Sequence, residues 1–379
     1  MTQRIYLDHA ATTPMAPEVI GLMHETMLLH YGNPSSIHSE GRTAKALIEK
    51  ARKSIAQHFN CSIGEIFFTS GATESNNMIL QGAIMGLGVK TVITSPSEHH
   101  AVLHTLEIFQ KQQRLNVLFL PLDEEGNPSF IALEKYLSDP IYGKILVSLM
   151  HSNNETGTLL DWEKVGSLCQ EYGALFHSDT VQSIGFYDID LQAIPLHFIT
   201  GSAHKFNGPK GIGFAYIKNE TMIPPFQHGG AQERNMRGGT ENLLGIIGMS
   251  LALDLAESEK KERICHIEKL KLQLYNGLKK TIPEIQLNGP AIQKSHPKIL
   301  NIGFPPNPKL MMLLFNLDIE GISISGGSAC SSGTDTGSHV IRAIKPENQY
   351  VSVRFSFSHL NTLEEIDKVI EIIKHLNRN

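Results

Sequence analysis

The segment LHFITGSAHKFNGPKGIG, residues 196–213, joins an apolar run to a polar, glycine-rich loop, and this arrangement recurs along the chain. Other apolar runs, also followed by polar segments and separated by stretches with helical spacing, occupy residues 66–69, 91–94, 115–120, 144–150 and 174–179. Strands that alternate with helices favour a mostly parallel sheet with helices on both faces. We therefore predict an α/β fold in which polar segments meet beyond the carboxyl ends of the strands, where ligands bind in such sheets.

The length of 379 residues favours two domains, because single hydrophobic cores stop growing at roughly 250–300 residues. We predict a large domain at 15–255 and a smaller α/β domain that combines 1–14 with 256–379.

A long helical stretch from about 240 to 280 is predicted to connect the two domains. In the last helical segment, Glu365 follows Thr362 at the spacing of a capping box. The predicted strands of the smaller domain lie near 299–303, 321–325 and 350–357.

Composition places the chain among ordinary globular proteins, with 41% hydrophobic residues, 19% charged residues and a formal net charge of −5. Because this net charge gives no sign of the positively charged surface that binds nucleic acid, we expect no direct nucleic-acid partner. The sequence has no signal-peptide pattern at its start and no run of about 18 apolar residues, so we expect a cytoplasmic protein without membrane contact. Its cysteines show no C-x-x-C spacing, which disfavours a disulfide framework or a zinc ribbon.

Lys205 and Asp179 are the first candidate functional pair. Lys205 lies in the small-residue loop after the run LHFIT, while Asp179 ends the run ALFHSD and precedes Gln182 by three residues. Each alone would be an ordinary loop lysine or capping aspartate. Pyridoxal phosphate (PLP) requires a lysine amine to form an imine and an acid to keep its pyridine nitrogen protonated. The pair therefore suggests a site for this cofactor.

The segment SGATESN, residues 70–76, is a candidate phosphate site, because Gly71, Ala72 and Thr73 would begin a helix. Free backbone N–H groups at a helix start favour an anion. The alternative is a plain helix cap by Ser70 or Thr73.

His99, in SEHHAVLH, follows another strand-like run and could stack on a cofactor ring or carry protons. A metal site is a rival interpretation. His100 and His104 have i, i+4 spacing, and His177 with Asp179 offers further ligand types. However, the HExxH glutamate is missing and no cysteine is nearby in the sequence, so we predict no resident metal.

Three further residues could take part in binding or catalysis, but each also has a purely structural interpretation. Asn154 could hydrogen-bond a ring hydroxyl or a substrate carboxylate, or simply belong to an asparagine-rich turn. Arg354 could bind a carboxylate through its two-pronged guanidinium, or face outward from a strand. Cys330, with glycine and serine on both sides, could be a mobile reactive thiol or a small turn residue.

Taken together, these motifs resemble the cysteine desulfurases of the NifS/IscS type, within the class V aminotransferase superfamily of fold-type I PLP enzymes. The resemblance covers nearly the whole chain and departs from the family pattern at Ala203, Gly326, Ser358 and His359. The motifs that carry it are YLDHAATTP, YGNPSS (31–36), FTSGATESNN (68–77), SEHHAVL (97–103), MHSNNETG (150–157), HSDTVQS (177–183), SAHKFNGPKGIG (202–213), HGGAQERNMRGGT (228–240), SGGSACSSG (325–333) and RFSFSHLNT (354–362).

The resemblance implies that Lys205 forms the imine with PLP, that Asp179 pairs with the pyridine nitrogen and that Gln182 pairs with the ring oxygen. It also implies a homodimer, in which Thr240 reaches the phosphate from a second subunit. The remaining implied roles are stacking and proton transfer by His99, cofactor contacts of Ala72, Thr73, Asn154, Ser202 and His204, substrate contacts of Asn33, Asn154 and Arg354, and nucleophilic attack by Cys330.

The implied reaction converts L-cysteine to L-alanine and leaves the sulfur as a persulfide on Cys330. A sulfur-acceptor protein would then receive this sulfur for the biosynthesis of iron–sulfur clusters, thio-cofactors or modified tRNA. The resemblance also allows Cys330 to bind an iron–sulfur cluster transiently. The alternatives are another fold-type I PLP enzyme, such as a selenocysteine lyase or an aminotransferase, and a catalytically silent scaffold.

Overall fold

The structure is a computed structural model that describes residues 4–307, 310, 312–326 and 337–378. Its helices are Pro17–Leu29 (α1), Ser39–His58 (α2), Ala72–Met85 (α3), His100–Lys111 (α4), Phe130–Leu137 (α5), Trp162–Glu171 (α6), Leu243–Ser258 (α7), Lys260–Thr281 (α8), Leu313–Ile319 (α9), His339–Ile344 (α10) and Leu363–Arg378 (α11). Its strands are Ile5–Tyr6 (β1), Ile66–Thr69 (β2), Thr91–Thr94 (β3), Asn116–Phe119 (β4), Ile145–Ser148 (β5), Leu175–Asp179 (β6), Phe198–Ser202 (β7), Gly213–Ile217 (β8), Gln286–Leu287 (β9), Ile299–Phe304 (β10), Ile322–Ser323 (β11) and Val351–Ser356 (β12).

The largest sheet has seven strands in the order β2-β8-β7-β6-β5-β3-β4. Only β8 runs against the others, because it pairs antiparallel with both β2 and β7 while the remaining pairs are parallel. The carboxyl ends of β2, β3, β5, β6 and β7 therefore lie along one edge of the sheet. The predicted α/β class with a mostly parallel sheet is confirmed.

Helices cover both faces of this sheet, and the alternation of side chains along each strand explains how. Phe68 and Phe214 face a core that includes α2 and α7, whereas Phe67 and Phe198 face a second layer with α3 and α4. Successive residues of a strand point to opposite faces of the sheet. A strand can therefore have apolar side chains at successive positions only when both faces of the sheet are buried.

A separate core gathers the two ends of the chain. Ile5 and Leu7 pack there with residues of α8, β10, β12 and α11. In this part β12, β10 and β9 form an antiparallel sheet, and β1 pairs in parallel with β11. The boundaries at residues 15 and 255 remain a prediction, although the strands and helices that contribute to the two cores differ.

The predicted helical stretch over about 240–280 is present, but it consists of two helices. The chain forms α7 and α8, which are separated at Glu259, where the backbone has φ −102° and ψ 3°. Residues of α7 such as Leu253 belong to the core of the large sheet, while Leu270 of α8 belongs to the core of the chain ends. The helices on the two sides of Glu259 therefore pack in different cores.

The capping box of the last helix is confirmed. The backbone N–H of Glu365 donates to Thr362 Oγ1 at 3.2 Å, and the N–H of Thr362 donates to Glu365 Oε2 at 3.2 Å. Among the residues described, no helix combines the length and apolar character that a membrane crossing requires.

Candidate active site

A cavity of about 600 Å³ opens where the strand ends of the large sheet meet. Its lining includes the segments that follow β2, β3, β5, β6 and β7, together with residues 10–12 and two residues of the C-terminal part, His339 and Arg354. The predicted convergence of the polar segments is therefore confirmed. The predicted site residues that line this cavity are Ala72, Thr73, His99, Asn154, Asp179, Gln182, Ser202, His204, Lys205 and Arg354.

Lys205 ends a single helical turn, Ala203–Lys205, that directly follows β7. Its Nζ donates to the carbonyl oxygens of Ala10 at 2.7 Å and Ala11 at 2.8 Å. These partners belong to the segment that leads away from β1, so the amine lies against the N-terminal wall of the cavity. An amine placed at the end of a buried strand can reach a ligand while its backbone stays fixed.

Asp179 is the last residue of β6 and is only 7% exposed. Its Oδ2 accepts a hydrogen bond from Asn76 Nδ2 at 2.8 Å, and its Oδ1 accepts one from the backbone N–H of Val181 at 3.0 Å. Each oxygen therefore has a fixed donor, which orients the carboxylate in the cavity. Asn76 is not among the predicted site residues, although it lies in SGATESN one helical turn after Thr73 and so on the same side of α3.

Gln182 and Arg354 each carry a buried polar atom without a hydrogen-bond partner among the described residues. These atoms are Gln182 Oε1 and Arg354 Nε. The Gln182 amide also donates from Nε2 to the carbonyl of Ala10 at 3.0 Å. An unsatisfied buried polar atom costs about 1–3 kcal/mol, so a polar ligand that supplies the missing partner is favoured. Both side chains line the cavity, which fits a polar ligand there.

The start of α3, where a phosphate site is predicted, borders the cavity. Its N-cap is Gly71, with φ +151° and no side-chain hydrogen bond, rather than Ser70 or Thr73. That φ is one that residues with a Cβ rarely adopt. The first N–H groups of α3 therefore lack a capping side chain, as a phosphate site at a helix start requires.

His204 lines the same cavity as the start of α3. Its Nδ1 is 3.1 Å from Thr12 Oγ1. Burial, followed by the positive charges of Lys205 and Lys210, lowers the pKa of His204 to about 4. The ring is therefore neutral at physiological pH and can act as a hydrogen-bonding group rather than as a cation.

His99 caps the start of α4, where its Nδ1 accepts a hydrogen bond from the N–H of Ala101 at 3.1 Å. In the neutral ring the proton is therefore assigned to Nε2. Burial is the largest influence on its pKa and lowers it; the charge of Lys205 acts in the same direction and that of Asp179 in the opposite one. His99 thus presents a neutral imidazole with a fixed orientation.

Arg354 faces inward, which decides the question that strand alternation left open. It is 1% exposed, and its guanidinium donates to the carbonyl oxygen of Asn154 at 2.9 Å and to Asp8 Oδ1 at 2.8 Å. Asp8 is not among the predicted site residues, although it lies in the N-terminal motif YLDHAATTP. The arginine is thereby fixed at the cavity wall with Nε still unpaired by the described residues.

Two buried acids near the cavity were also missed. Glu98 Oε1 accepts the N–H of Met150 at 2.6 Å, and Glu155 Oε2 accepts the hydroxyl of Ser338 at 2.5 Å. Burial raises the pKa of both carboxyl groups, that of Glu98 well above its usual value. Their positions inside SEHH and HSNNETG, next to predicted site residues, were the available signal.

Two predicted residues do not line this cavity, and the position of a third is not described. Asn33 is exposed, and its Oδ1 accepts the N–H of Ser35 at 2.9 Å. Thr240 borders a separate cavity of about 160 Å³ next to the end of β2. Cys330 lies outside the described residues. The roles of these three residues remain predictions.

The other cysteines differ from a reactive thiol in environment. Burial raises the pKa of Cys61 to about 12 and raises that of Cys169 further, which disfavours the thiolate in both. Cys265 is exposed on α8 and is not among the residues that line the cavity.

The histidines behind the metal alternative pack against each other and other side chains. His100 Nδ1 lies 3.2 Å from His104 Nε2, and the rings of His100 and His339 are 4.4 Å apart. His177 is buried and hydrogen-bonded to Ser148 Oγ at 2.9 Å. Within the described part of the chain, no three histidine, cysteine or acidic side chains are arranged to hold a metal ion.

The chain is similar to known proteins over nearly its whole length. The aminotransferase class-V family model matches residues 5–369. The cysteine desulfurase IscS of Dictyoglomus turgidum is 39% identical over 380 residues, which covers 99% of this chain and 95% of that protein.

Two solved structures extend the similarity to the fold. A NifS-like protein has a TM-score of 0.91 at 34% identity and covers 99% of this chain and 100% of that one. A structure of SspA in complex with cysteine has a TM-score of 0.80 at 29% identity and covers 94% of this chain and 100% of that one. The predicted fold, that of the fold-type I PLP enzymes, is confirmed by the match to the NifS-like protein.

Proposed function

The chain belongs to the aminotransferase class-V family, and on this premise we propose that it is a PLP-dependent cysteine desulfurase. The observation that carries the proposal is the meeting of Lys205, Asp179 and Arg354 in one cavity. They supply an amine for the cofactor, an acid for its ring and a cation for the substrate carboxylate. The whole-length similarity to a cysteine desulfurase supports the choice of reaction within the family.

The residues around the cavity fit PLP group by group. The uncapped start of α3 at Ala72 and Thr73, with Ser202 and His204, would hold the phosphate. Asp179 would pair with the pyridine nitrogen, and Gln182 would pair with the ring oxygen. His99 would lie over the ring, with Asn154 nearby. When bound, the cofactor supplies an electron sink for a carbanion at the substrate Cα.

Side chains of the protein would bind the substrate and transfer protons. Arg354, already fixed by Asp8, would bind the carboxylate of L-cysteine and set the orientation of the amino acid. The Lys205 amine would take the proton from Cα and return one to the product. Asn33 and Asn154 would add contacts to the substrate carboxylate.

Sulfur leaves the substrate by transfer to a thiol. We propose that the Cys330 thiolate attacks the substrate sulfur, so that an S–S bond forms while the substrate C–S bond breaks. The electron pair of the broken bond stays on the carbon skeleton and is protonated to give L-alanine. The products are alanine and a Cys330 persulfide, so the step balances without an external oxidant. A sulfur-acceptor protein is expected to remove the terminal sulfur in the cytoplasm.

The test is to incubate the purified protein with L-cysteine and to measure intact mass and digested peptides. We expect one extra sulfur atom on the peptide that contains Cys330, together with L-alanine in solution. A parallel sample with L-serine controls for nonspecific additions. An extra sulfur on Cys265, or alanine formed only when a keto acid is added, would contradict the proposal and favour another reaction of the family.

We propose further that the enzyme is a homodimer. Apolar side chains are exposed along α1 and the segment after it, including Leu28 at 65% and Ile37 at 91%. Exposed apolar clusters of this kind mark interaction surfaces. The absence of Thr240 from the cavity lining of its own chain is compatible with a contribution to a neighbour's phosphate site.

Sedimentation equilibrium is expected to give about twice the mass of one chain. Leu28→Glu should weaken this association, because it places a charge on the apolar surface. Ile131→Glu is the matched control, since Ile131 is 85% exposed on the distant helix α5 and its change should leave the mass as it is. A monomeric wild-type protein would refute the dimer.

A further inference from the structure

Ser338 and Glu155 form a buried hydrogen bond that has no role in the scheme above. The Ser338 hydroxyl donates to Glu155 Oε2 at 2.5 Å, and both residues are buried. The same hydroxyl oxygen caps α10, because it accepts the backbone N–H of Ile341 at 3.1 Å. Ser338 therefore joins the start of α10 to the segment that follows β5 and lines the cavity.

A second hydrogen bond holds the start of α10 beside the first. His339 Nε2 donates to the backbone carbonyl oxygen of Glu98 at 3.0 Å. The Glu98 side chain is held in turn, because its Oε1 accepts the backbone N–H of Met150 at 2.6 Å. Two successive residues, Ser338 and His339, therefore connect the start of α10 to the segments that follow β5 and β3.

The place of this anchor in the sequence links it to the proposed nucleophile. Cys330 precedes Ser338 by eight residues and follows Ser325 by five. The chain is also fixed at Ser325, whose backbone N–H donates to the carbonyl oxygen of Arg354 at 3.2 Å and whose carbonyl accepts the N–H of Arg354 at 2.7 Å. The segment that carries Cys330 therefore begins and ends at residues that are hydrogen-bonded to the wall of the cavity.

Hydrogen bonds connect these two anchor points through the proposed substrate site. The Arg354 guanidinium donates to the carbonyl oxygen of Asn154 at 2.9 Å, and Asn154 directly precedes Glu155. The main chain of Glu155 is held as well, because its N–H donates to Asn153 Oδ1 at 2.9 Å and its carbonyl accepts Asn301 Nδ2 at 3.1 Å. The arginine that would bind the substrate carboxylate is thus joined to both ends of the Cys330 segment.

We propose that Ser338 and Glu155 are positioning residues for the sulfur-transfer step, because their hydrogen bond fixes one end of the Cys330 segment relative to a substrate bound at Arg354. This role rests on the proposed function, since it concerns how the nucleophile is held. A misplacement of about 1 Å can cost about a hundredfold in rate. Removal of the Cα proton by Lys205 needs no thiol, so loss of the anchor should leave that step intact.

The test compares two partial reactions of the cofactor-loaded enzyme in wild type and Ser338→Ala. Exchange of the Cα proton of L-alanine for deuterium, followed by NMR in D2O, requires Lys205 and the cofactor but no thiol. Single-turnover formation of the Cys330 persulfide from L-cysteine, followed by mass spectrometry, requires the thiol as well. We expect Ser338→Ala to slow persulfide formation by about tenfold or more and to change deuterium exchange by less than about twofold.

Glu155 supplies a conservative variant, and Ser129 supplies a matched control. Glu155→Ala should slow persulfide formation as much as Ser338→Ala, whereas Glu155→Gln keeps an oxygen that accepts the Ser338 hydroxyl and should restore the rate to within about threefold of wild type. Ser129→Ala also removes a helix cap, because Ser129 Oγ accepts the N–H of Ala132 at the start of α5, but Ser129 does not line the cavity. This control should change neither partial reaction.

Backbone hydrogen exchange in the full-length protein tests the anchor without any turnover. The peptide that spans residues 337–345 should exchange about tenfold faster in Ser338→Ala and Glu155→Ala than in wild type, because α10 loses its hydrogen bond to the segment after β5. Glu155→Gln and Ser129→Ala should leave the exchange of this peptide at the wild-type rate.

The outcomes separate the role of the anchor from the proposed function. Equal losses of persulfide formation and of deuterium exchange in Ser338→Ala, or wild-type persulfide formation in both alanine variants, would overturn the positioning role. If the variants failed to fold, wild-type α10 amides that exchange as fast as those of an unstructured peptide would overturn it as well. A wild-type protein that neither labels L-alanine nor forms a persulfide would instead refute the proposed function, while the exchange of α10 would still report the anchor.

Discussion

Replacing Lys205 with alanine is expected to lower kcat for alanine formation from L-cysteine by about a thousandfold or more. The amine lies in the cavity, held against the carbonyl oxygens of Ala10 and Ala11, and would both bind the cofactor and move the Cα proton. Alanine removes both functions but leaves the backbone of the turn Ala203–Lys205 unchanged. The measurement is the initial rate of alanine release by purified protein with added PLP.

Lys210→Ala is the control for this change. Lys210 lines the same cavity and lies in the same loop, but it is exposed. Its loss should change kcat by less than about threefold, since an exposed charge contributes little. If Lys205→Ala kept more than a tenth of the wild-type kcat, Lys205 would not be the essential amine.

Asp179→Asn is expected to lower kcat by about a hundredfold. Asparagine has nearly the same shape but cannot carry the negative charge that keeps a pyridine nitrogen protonated, and a hydrogen bond to a charged group contributes about 1.5–3 kcal/mol. Both oxygens of the carboxylate now accept hydrogen bonds, one from Asn76 and one from the N–H of Val181. The NH2 group of the new amide would face one of these donors and could not accept its hydrogen bond. Steady-state rates with saturating L-cysteine and PLP measure the effect.

Asn76→Ala separates the charge of Asp179 from its orientation. It removes the donor to Oδ2 but leaves the carboxylate and the contact with Val181. We expect a loss of about tenfold, because one neutral partner of a charged acceptor is removed. A loss in Asn76→Ala as large as in Asp179→Asn would show that orientation, rather than charge, is what the site requires.

Local sequence patterns predicted the framework well because they depend on neighbours along the chain. The runs 66–69 and 91–94 form strands with those bounds, since aromatic and β-branched residues there fill two buried sheet faces. Once the strands are parallel, the position of Lys205 and Asp179 at one edge follows from topology. The convergence of the site residues was therefore predictable.

Contacts between distant segments were not predictable. The partner of Asp179 is Asn76, 103 residues away, and the partner of Arg354 is Asp8, 346 residues away. The alternation of side chains along β12 does not show whether Arg354 points into the protein or toward solvent. Its burial in the structure shows that it points inward. The break at Glu259 has no glycine or proline beside it to signal it, and the helices on its two sides pack in different cores.

The contacts of residues 5–12 limit the order in which the molecule can fold. Ile5 pairs with Ile322, and the backbone at Asp8 pairs with Ser356, so this segment is synthesised long before its partners. The same segment provides the carbonyl oxygens that receive the Lys205 amine. This wall of the cavity therefore cannot acquire its native support until Ile322 and Ser356 have been synthesised, and such contacts between distant segments form slowly.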